Sequence, residues 1–119
     1  RAKAYTKEYL DAMPENGYTL KPTKEMRSFA GQVLHLSDAI YGFVASATDE
    51  KPTAADLEKS NDTNKASVTA KVLTAYDFAI NSIQKYPYVK FTYENKPVEI
   101  YSGQYGIYFK YNDKNYCRK

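Results

Sequence analysis

Residues 87–111 read PYVKFTYENKPVEIYSGQYGIYFKY, and their hydrophobic period decides the fold. Val89, Phe91 and Tyr93 alternate with Lys90, Thr92 and Glu94. Val98 and Ile100 alternate with Glu99 and Tyr101. Tyr105, Ile107, Phe109 and Tyr111 alternate with Gly106, Tyr108 and Lys110. A period of two is that of a strand with one buried face. Turn formers punctuate the runs at Glu94–Pro97, Ser102–Gly103 and Asn112–Asp113. The expectation is a three-stranded antiparallel β-meander, with a short fourth strand at 114–117 as an alternative ending. Such a sheet is marginal alone in water and needs a partner against one face.

Upstream of Pro87 the period is 3.6. Residues 2–13 carry Tyr5, Tyr9, Ala12 and Met13 at helical spacing, and Pro14 with Gly17 ends the run. A second helix is expected over 24–47, with Thr23 as N-cap and Glu25 in its first turn. Its bulky stripe is Met26, Phe29, Ala30, Val33, Ser37, Ile40 and Val44. Residues 48–64 are polar and read as loop with a short helical turn at 54–59. A third helix over 64–85 places Val68, Val72, Ala75, Tyr76, Ala79, Ile80 and Ile83 on one face, and Pro87 stops it.

Composition splits at the same place. The chain has 119 residues, 13 Tyr, no Trp and a net charge of +3. Residues 1–86 hold 11 basic and 11 acidic side chains, whereas residues 87–119 hold 6 and 3 together with 7 of the tyrosines. The length suits one domain. No apolar run approaches the roughly 18 residues of a membrane-spanning helix, and no charged-then-apolar leader opens the chain, so neither a membrane partner nor a retained signal peptide is expected. The single cysteine, Cys117, cannot form an internal disulfide and fits a reducing, cytoplasmic setting. No phosphate-cradling glycine loop, Cys-x-x-Cys pair or serine-nucleophile motif is found.

The side of helix 24–47 opposite its bulky stripe carries Ser28, Gly31, His35, Ala39, Gly42 and Ser46. Two glycines inside a helix cost about 1 kcal/mol each against alanine, which suggests close approach by a second layer. His35, with Asp38 one turn on, then reads either as a metal ligand or general base in a pocket, or as a hydrogen-bonded surface histidine.

The phrases YLDAMPENGYTLKPTKEMRSFAGQVLHLSDAIYGF (9–43) and NKASVTAKVLTAYDFAINSI (64–83) resemble the DinB-type family of bacterial helical bundles. The likeness spans residues 5–86. It implies a four-helix-bundle frame and a divalent metal, zinc or nickel, held by three histidines, the first of which falls on His35. This chain has no other histidine, and a catalytic zinc takes three protein ligands. The implied domain therefore lacks its triad and is not an enzyme as it stands, unless two copies of His35 complete a site across a homodimer formed through the helices.

The tail PVEIYSGQYGIYFKYNDKNY (97–116) is similar to the C-terminal repeats of type IA DNA topoisomerases, through Gly103, Tyr105, Gly106, Tyr108 and Lys110 and a following Lys-Asn-Tyr. That likeness implies a small β-module holding single-stranded DNA or RNA against aromatic rings. The candidate residues are Lys90, Tyr101, Tyr105, Tyr108, Lys110 and Lys114. Stacking on bases and neutralising phosphates is the chemistry such residues supply. The competing reading is purely structural, because Tyr is a good strand former and edge lysines prevent aggregation.

Together the expectation is an α+β chain. An antiparallel three-helix bundle (1–86) precedes a three-stranded meander (87–119) that packs on it. The sheet would lie on the small-residue side of helix 24–47, or across the groove between the first and third helices, where a fourth helix would otherwise sit. A natural and a recombined join near Pro87 fit the change of composition equally.

Overall fold

The computed structural model describes residues 1–85, 88–103, 106–112 and 114–117, the side chains of 88–91, 102, 103, 106, 107 and 117 excepted. The chain is α+β: helices α1 (Ala2–Ala12), α2 (Phe29–Thr48) and α3 (Lys65–Lys85), then strands β1 (Tyr88–Tyr93), β2 (Lys96–Gly103), β3 (Gly106–Tyr111) and β4 (Lys114–Cys117). Short 3₁₀ turns occupy Glu15–Thr19 and Glu58–Ser60.

Helix α2 starts five residues later than the Thr23 cap predicts. Ser28 is the N-cap, its Oγ accepting from the Gly31 N–H at 3.0 Å. The Phe29 N–H donates to Leu20 O, tying the start of the helix to the preceding turn. Met26 consequently lies outside the helix and is exposed. Buried positions on α2 are Ala30, Leu34, Ser37, Tyr41 and Thr48, and those on α3 are Val68, Val72, Ala75 and Ser82. With Leu10 and Tyr18 they form the core. The Tyr18 hydroxyl, fully buried, donates to Leu10 O at 2.9 Å and lies 3.3 Å from Thr69 Oγ1.

The helices are not all antiparallel. Tyr18 touches both helix starts, through the Phe29 ring at 5.1 Å and through Thr69. Further along, Tyr41 meets Phe78 at 5.0 Å, and Glu50, just past α2, pairs with Lys85 at the end of α3. Helices α2 and α3 thus run in the same direction. Helix α1 runs against α3: Lys3 pairs with Asp77, Thr6 Oγ1 lies 2.8 Å from Tyr76 OH, and Lys65 Nζ donates to Asp11 O and Met13 O at α1's other end. The physical reason is the connection 49–64. Sixteen extended residues reach about 50 Å, enough to return along a twenty-residue helix of about 30 Å.

The sheet is a four-stranded antiparallel meander in the order β1-β2-β3-β4, so the strand at 114–117 forms and the three-stranded expectation is corrected. The expected first turn shrinks to Glu94-Asn95, both at positive φ (48° and 58°), and Tyr93 pairs directly with Lys96. Such a two-residue turn matches strand twist and leaves Pro97 inside β2, as are Ser102 and Gly103, which were expected to turn.

The sheet joins the helices chiefly where β1 meets α2. The radius of gyration is 17.7 Å and the longest axis 54 Å. A compact chain of this length would have a radius near 13.5 Å, so the sheet extends the molecule instead of folding over the bundle. Val98 is buried, but Tyr93, Phe109 and Tyr116 remain exposed. The expectation that the meander covers the helices where a fourth would sit is corrected accordingly.

Candidate functional site

Alternation and pairing register place the candidate residues. Tyr101 pairs with Tyr108, while Glu99 pairs with Lys110 on β3 and with Lys90 on β1. Partners opposite one another share a face, as do residues two apart, so Tyr101, Tyr108, Glu99 and Lys110 lie together. The Tyr101 and Tyr108 rings are stacked, with centroids 5.2 Å apart and planes 9° from parallel. The Tyr101 hydroxyl donates to Glu99, two residues back on the same face. Both rings and Lys110 are half-buried, held in place yet still presented. Beside them a shallow hollow of about 300 Å³ is lined by Lys96, Pro97, Glu99, Lys110 and Asn112.

Lys114 is not part of this group. It pairs with Tyr111, which pairs with Val98, and so belongs to the opposite face. That face carries Ile100, a second stacked pair (Phe109–Tyr116, 5.0 Å and 11°), and the Tyr93–Tyr111 edge contact with Lys96 over the Tyr111 ring. Tyr105 and the side chains of Lys90, Val89, Phe91, Ile107 and Cys117 lie outside the described residues.

His35 sits in a different environment from the one its spacing suggests. The returning connection 49–64, not a sheet or a fourth helix, reaches its side of α2. Asp38 accepts the backbone N–H groups of Leu57 and Glu58 at 2.9 and 3.0 Å, capping the 3₁₀ turn that begins there. This brings the Glu58 carboxylate to His35, with Nδ1 2.8 Å from Oε2, and to Arg27, which binds the other oxygen. Because a carboxylate only accepts, His35 Nδ1 carries the proton in that bond. Arg27 Nη2 lies 3.4 Å from the same nitrogen. The Arg27 guanidinium, the largest influence, holds the Glu58 carboxyl below its ordinary range; desolvation opposes it, and the His35 hydrogen bond adds a smaller lowering.

Further along the return, Asp62 accepts from Lys71 Nζ at 2.6 Å, from Ser67 Oγ and from the Asn64 N–H, and its pKa falls to about 2. These contacts pin the connection at three levels of α2 and α3. Among the described residues no group of three or more His, Cys, Asp or Glu is placed to hold a metal ion.

No family model matches this chain, and neither does any curated protein or solved structure.

The two helix glycines have plain explanations. A Cβ on Gly42 would meet nothing within 4 Å, and one on Gly31 would meet Ser28 Oγ at 3.2 Å, its own helix cap. Among the described residues no second layer approaches either glycine. Sequence reasoning missed Glu58 and Asp62 as partners because the polar segment 48–64 read as a solvated loop, and Arg27 because it fell inside the expected helix 24–47 and outside its bulky stripe. The one available signal was the length of the polar segment, longer than a turn between antiparallel helices requires.

Proposed function

We propose that the sheet is a binding surface for single-stranded nucleic acid, and that the helical part carries it without catalysing a reaction. The observation that supports this reading best is the stacked Tyr101–Tyr108 pair beside the row containing Lys110. A base laid on an aromatic face gains about 1–3 kcal/mol, and a lysine one row away neutralises a phosphate. Glu99, the acidic residue in that row, lies opposite Lys110 and accepts the Tyr101 hydroxyl. The excess of three positive charges belongs to residues 87–119, and the likeness of 97–116 to topoisomerase repeats agrees with the same chemistry. In the helical part, His35 is engaged by the carboxylate that fixes the connection, a structural task.

Fluorescence anisotropy with a labelled oligothymidylate, at low salt and through a salt titration, tests the reading. Tyr108→Ala is expected to weaken binding by about 5- to 150-fold, the equivalent of one lost stacking contact. Lys110→Ala should reduce the slope of log K against log salt by about 0.7. Tyr116→Ala, on the other face, should leave affinity within twofold of the parent, an upper bound on a change remote from the strand. Absence of binding at low salt, or equal losses for Tyr108→Ala and Tyr116→Ala, refutes the proposal.

A further inference from the structure

The face of the sheet turned away from Tyr101 and Tyr108 carries exposed aromatic rings among the described residues: Tyr93 is 57%, Phe109 44% and Tyr116 42% exposed, around a buried Val98. The helical part has an uncovered apolar surface of its own. Helix α1 begins level with Asp77, to which Lys3 is paired. The α3 residues Ile80 and Ile83, one and two turns further on, continue the side of α3 on which Tyr76 meets α1. They are 41% and 57% exposed. On α2, Leu36, Ile40 and Phe43 turn away from Asp38, which faces the returning connection, and Phe43 is 77% exposed. The return connection lies against Asp38 of α2 and against Ser67 and Lys71 of α3, so the residues turned away from it on both helices fall on one side of the pair. Lower down on that side α1 packs on α3, and the exposed surface continues along α3 beyond the start of α1.

We infer that a second copy of this chain covers both surfaces, the sheet of each copy lying on the Phe43–Ile80–Ile83 surface of the other. This goes beyond the nucleic-acid reading and does not depend on it, since the Tyr101–Tyr108 face stays outward. Area decides between arrangements. An aromatic side chain offers roughly 200 Å², so the three exposed sheet rings present about 300 Å² and the helical surface about as much. Two sheets face to face would bury about 600 Å² in total, below the 1,000–1,200 Å² or so of a stable interface. They would also bring Lys96 and Lys114 of the two copies together. The reciprocal arrangement buries about 1,200 Å², and a closed two-fold pair with both contacts made twice leaves no further surface to propagate.

The test uses the full chain in sedimentation equilibrium from about 1 to 100 µM. A reversible dimer is expected. Phe109→Ser with Tyr116→Ser, and separately Phe43→Ser with Ile83→Ser, should each raise the dissociation constant at least about tenfold, because each removes two central apolar contacts. All four positions are exposed, and circular dichroism checks that the helices persist. Phe109→Glu alone and Phe43→Glu alone replace any double variant that loses its helical signal. Mixing the sheet variant with the helix variant is decisive. Each variant alone has both contacts damaged, whereas the mixed pair has one contact intact and should associate more tightly than either. A wild-type chain that is monomeric throughout, a sheet variant that dissociates while the helix variant does not, or a mixture no tighter than its components overturns the inference.

Discussion

Replacing Asp62 by Asn should destabilise the chain at neutral pH and leave it almost unchanged near pH 2. Asp62 ends the return connection and accepts from Lys71 Nζ, Ser67 Oγ and the Asn64 N–H. Its folded-state pKa is lowered to about 2 from an ordinary 3.8, with the Lys71 hydrogen bond as the largest cause. A depressed pKa contributes stability that is fully present above the unfolded value near 3.8 and is lost as pH falls through about 2. At 1.36 kcal/mol per unit the full linkage would approach 2.5 kcal/mol. Asp62 is 18% exposed, but Lys71 is about one-third exposed, so solvent screening reduces this to about 1–1.5 kcal/mol. For a chain of 119 residues an unfolding entropy near 0.25 kcal/mol/K converts that into a Tm drop of about 4–6 °C. Thermal melts of both proteins by circular dichroism, at pH 7 and at pH 2, measure it. A difference below about 1 °C at pH 7, or one that persists undiminished at pH 2, refutes the assignment of Asp62 as a charged anchor.

Two further outcomes follow from the helical part. Gly42→Ala should raise stability by about 0.5–1 kcal/mol, since the added methyl meets nothing within 4 Å; a chemical-denaturation midpoint that falls would mean a neighbour does approach that face. Asp38→Ala should free the Leu57 and Glu58 amides that its carboxylate accepts, speeding their hydrogen exchange by about tenfold, the equivalent of one net hydrogen bond, while the α2 and α3 amides keep their protection. Unchanged exchange at Leu57 and Glu58 would show that the connection is held by its other contacts alone.

Much of the fold is local and therefore legible. The change of period at Pro87 separates helix from strand, and the alternation of Tyr101, Tyr108 and Lys110 places them on one face because a strand permits only two. Lys114 escaped because its face is fixed by the pairing of Tyr111 with Lys114, and nothing in residue type announces that register. The start of α2 differs from its local sequence signal for a related reason. Lys24 and Glu25 are good helix formers, but Ser28 caps the Gly31 N–H and the Phe29 N–H is already given to Leu20 O, which decides against them. The direction of α3 was illegible because it depends on contacts between residues 19 to 35 positions apart, such as Asp38 with Leu57, Glu58 with Arg27, and Lys85 with Glu50. Each of the charged side chains in these contacts, taken alone, is an ordinary surface charge, and Leu57 takes part only through its backbone N–H.

The same distinction bears on what the tyrosine-rich tail is for. Alternation shows that a strand has an apolar face but not what lies against it. A sheet folded over the helices would bury Phe109 and Tyr116 and leave the outer tyrosines as solvated strand formers. In this chain the return connection occupies the flank of α2 where His35 and Asp38 lie, and the sheet extends along the 54 Å axis instead. Both its faces are then presented, one with a stacked pair beside Lys110 and the other with a stacked pair beside exposed Tyr93. An apolar face of this kind is costly to leave in water, at about 25 cal/mol per Å², and on the more polar face Tyr101 and Tyr108 stack beside the row of Lys110. The economical account assigns each face its own partner, a second copy for one and single strands for the other. Variants on one face should therefore leave the other's property unchanged.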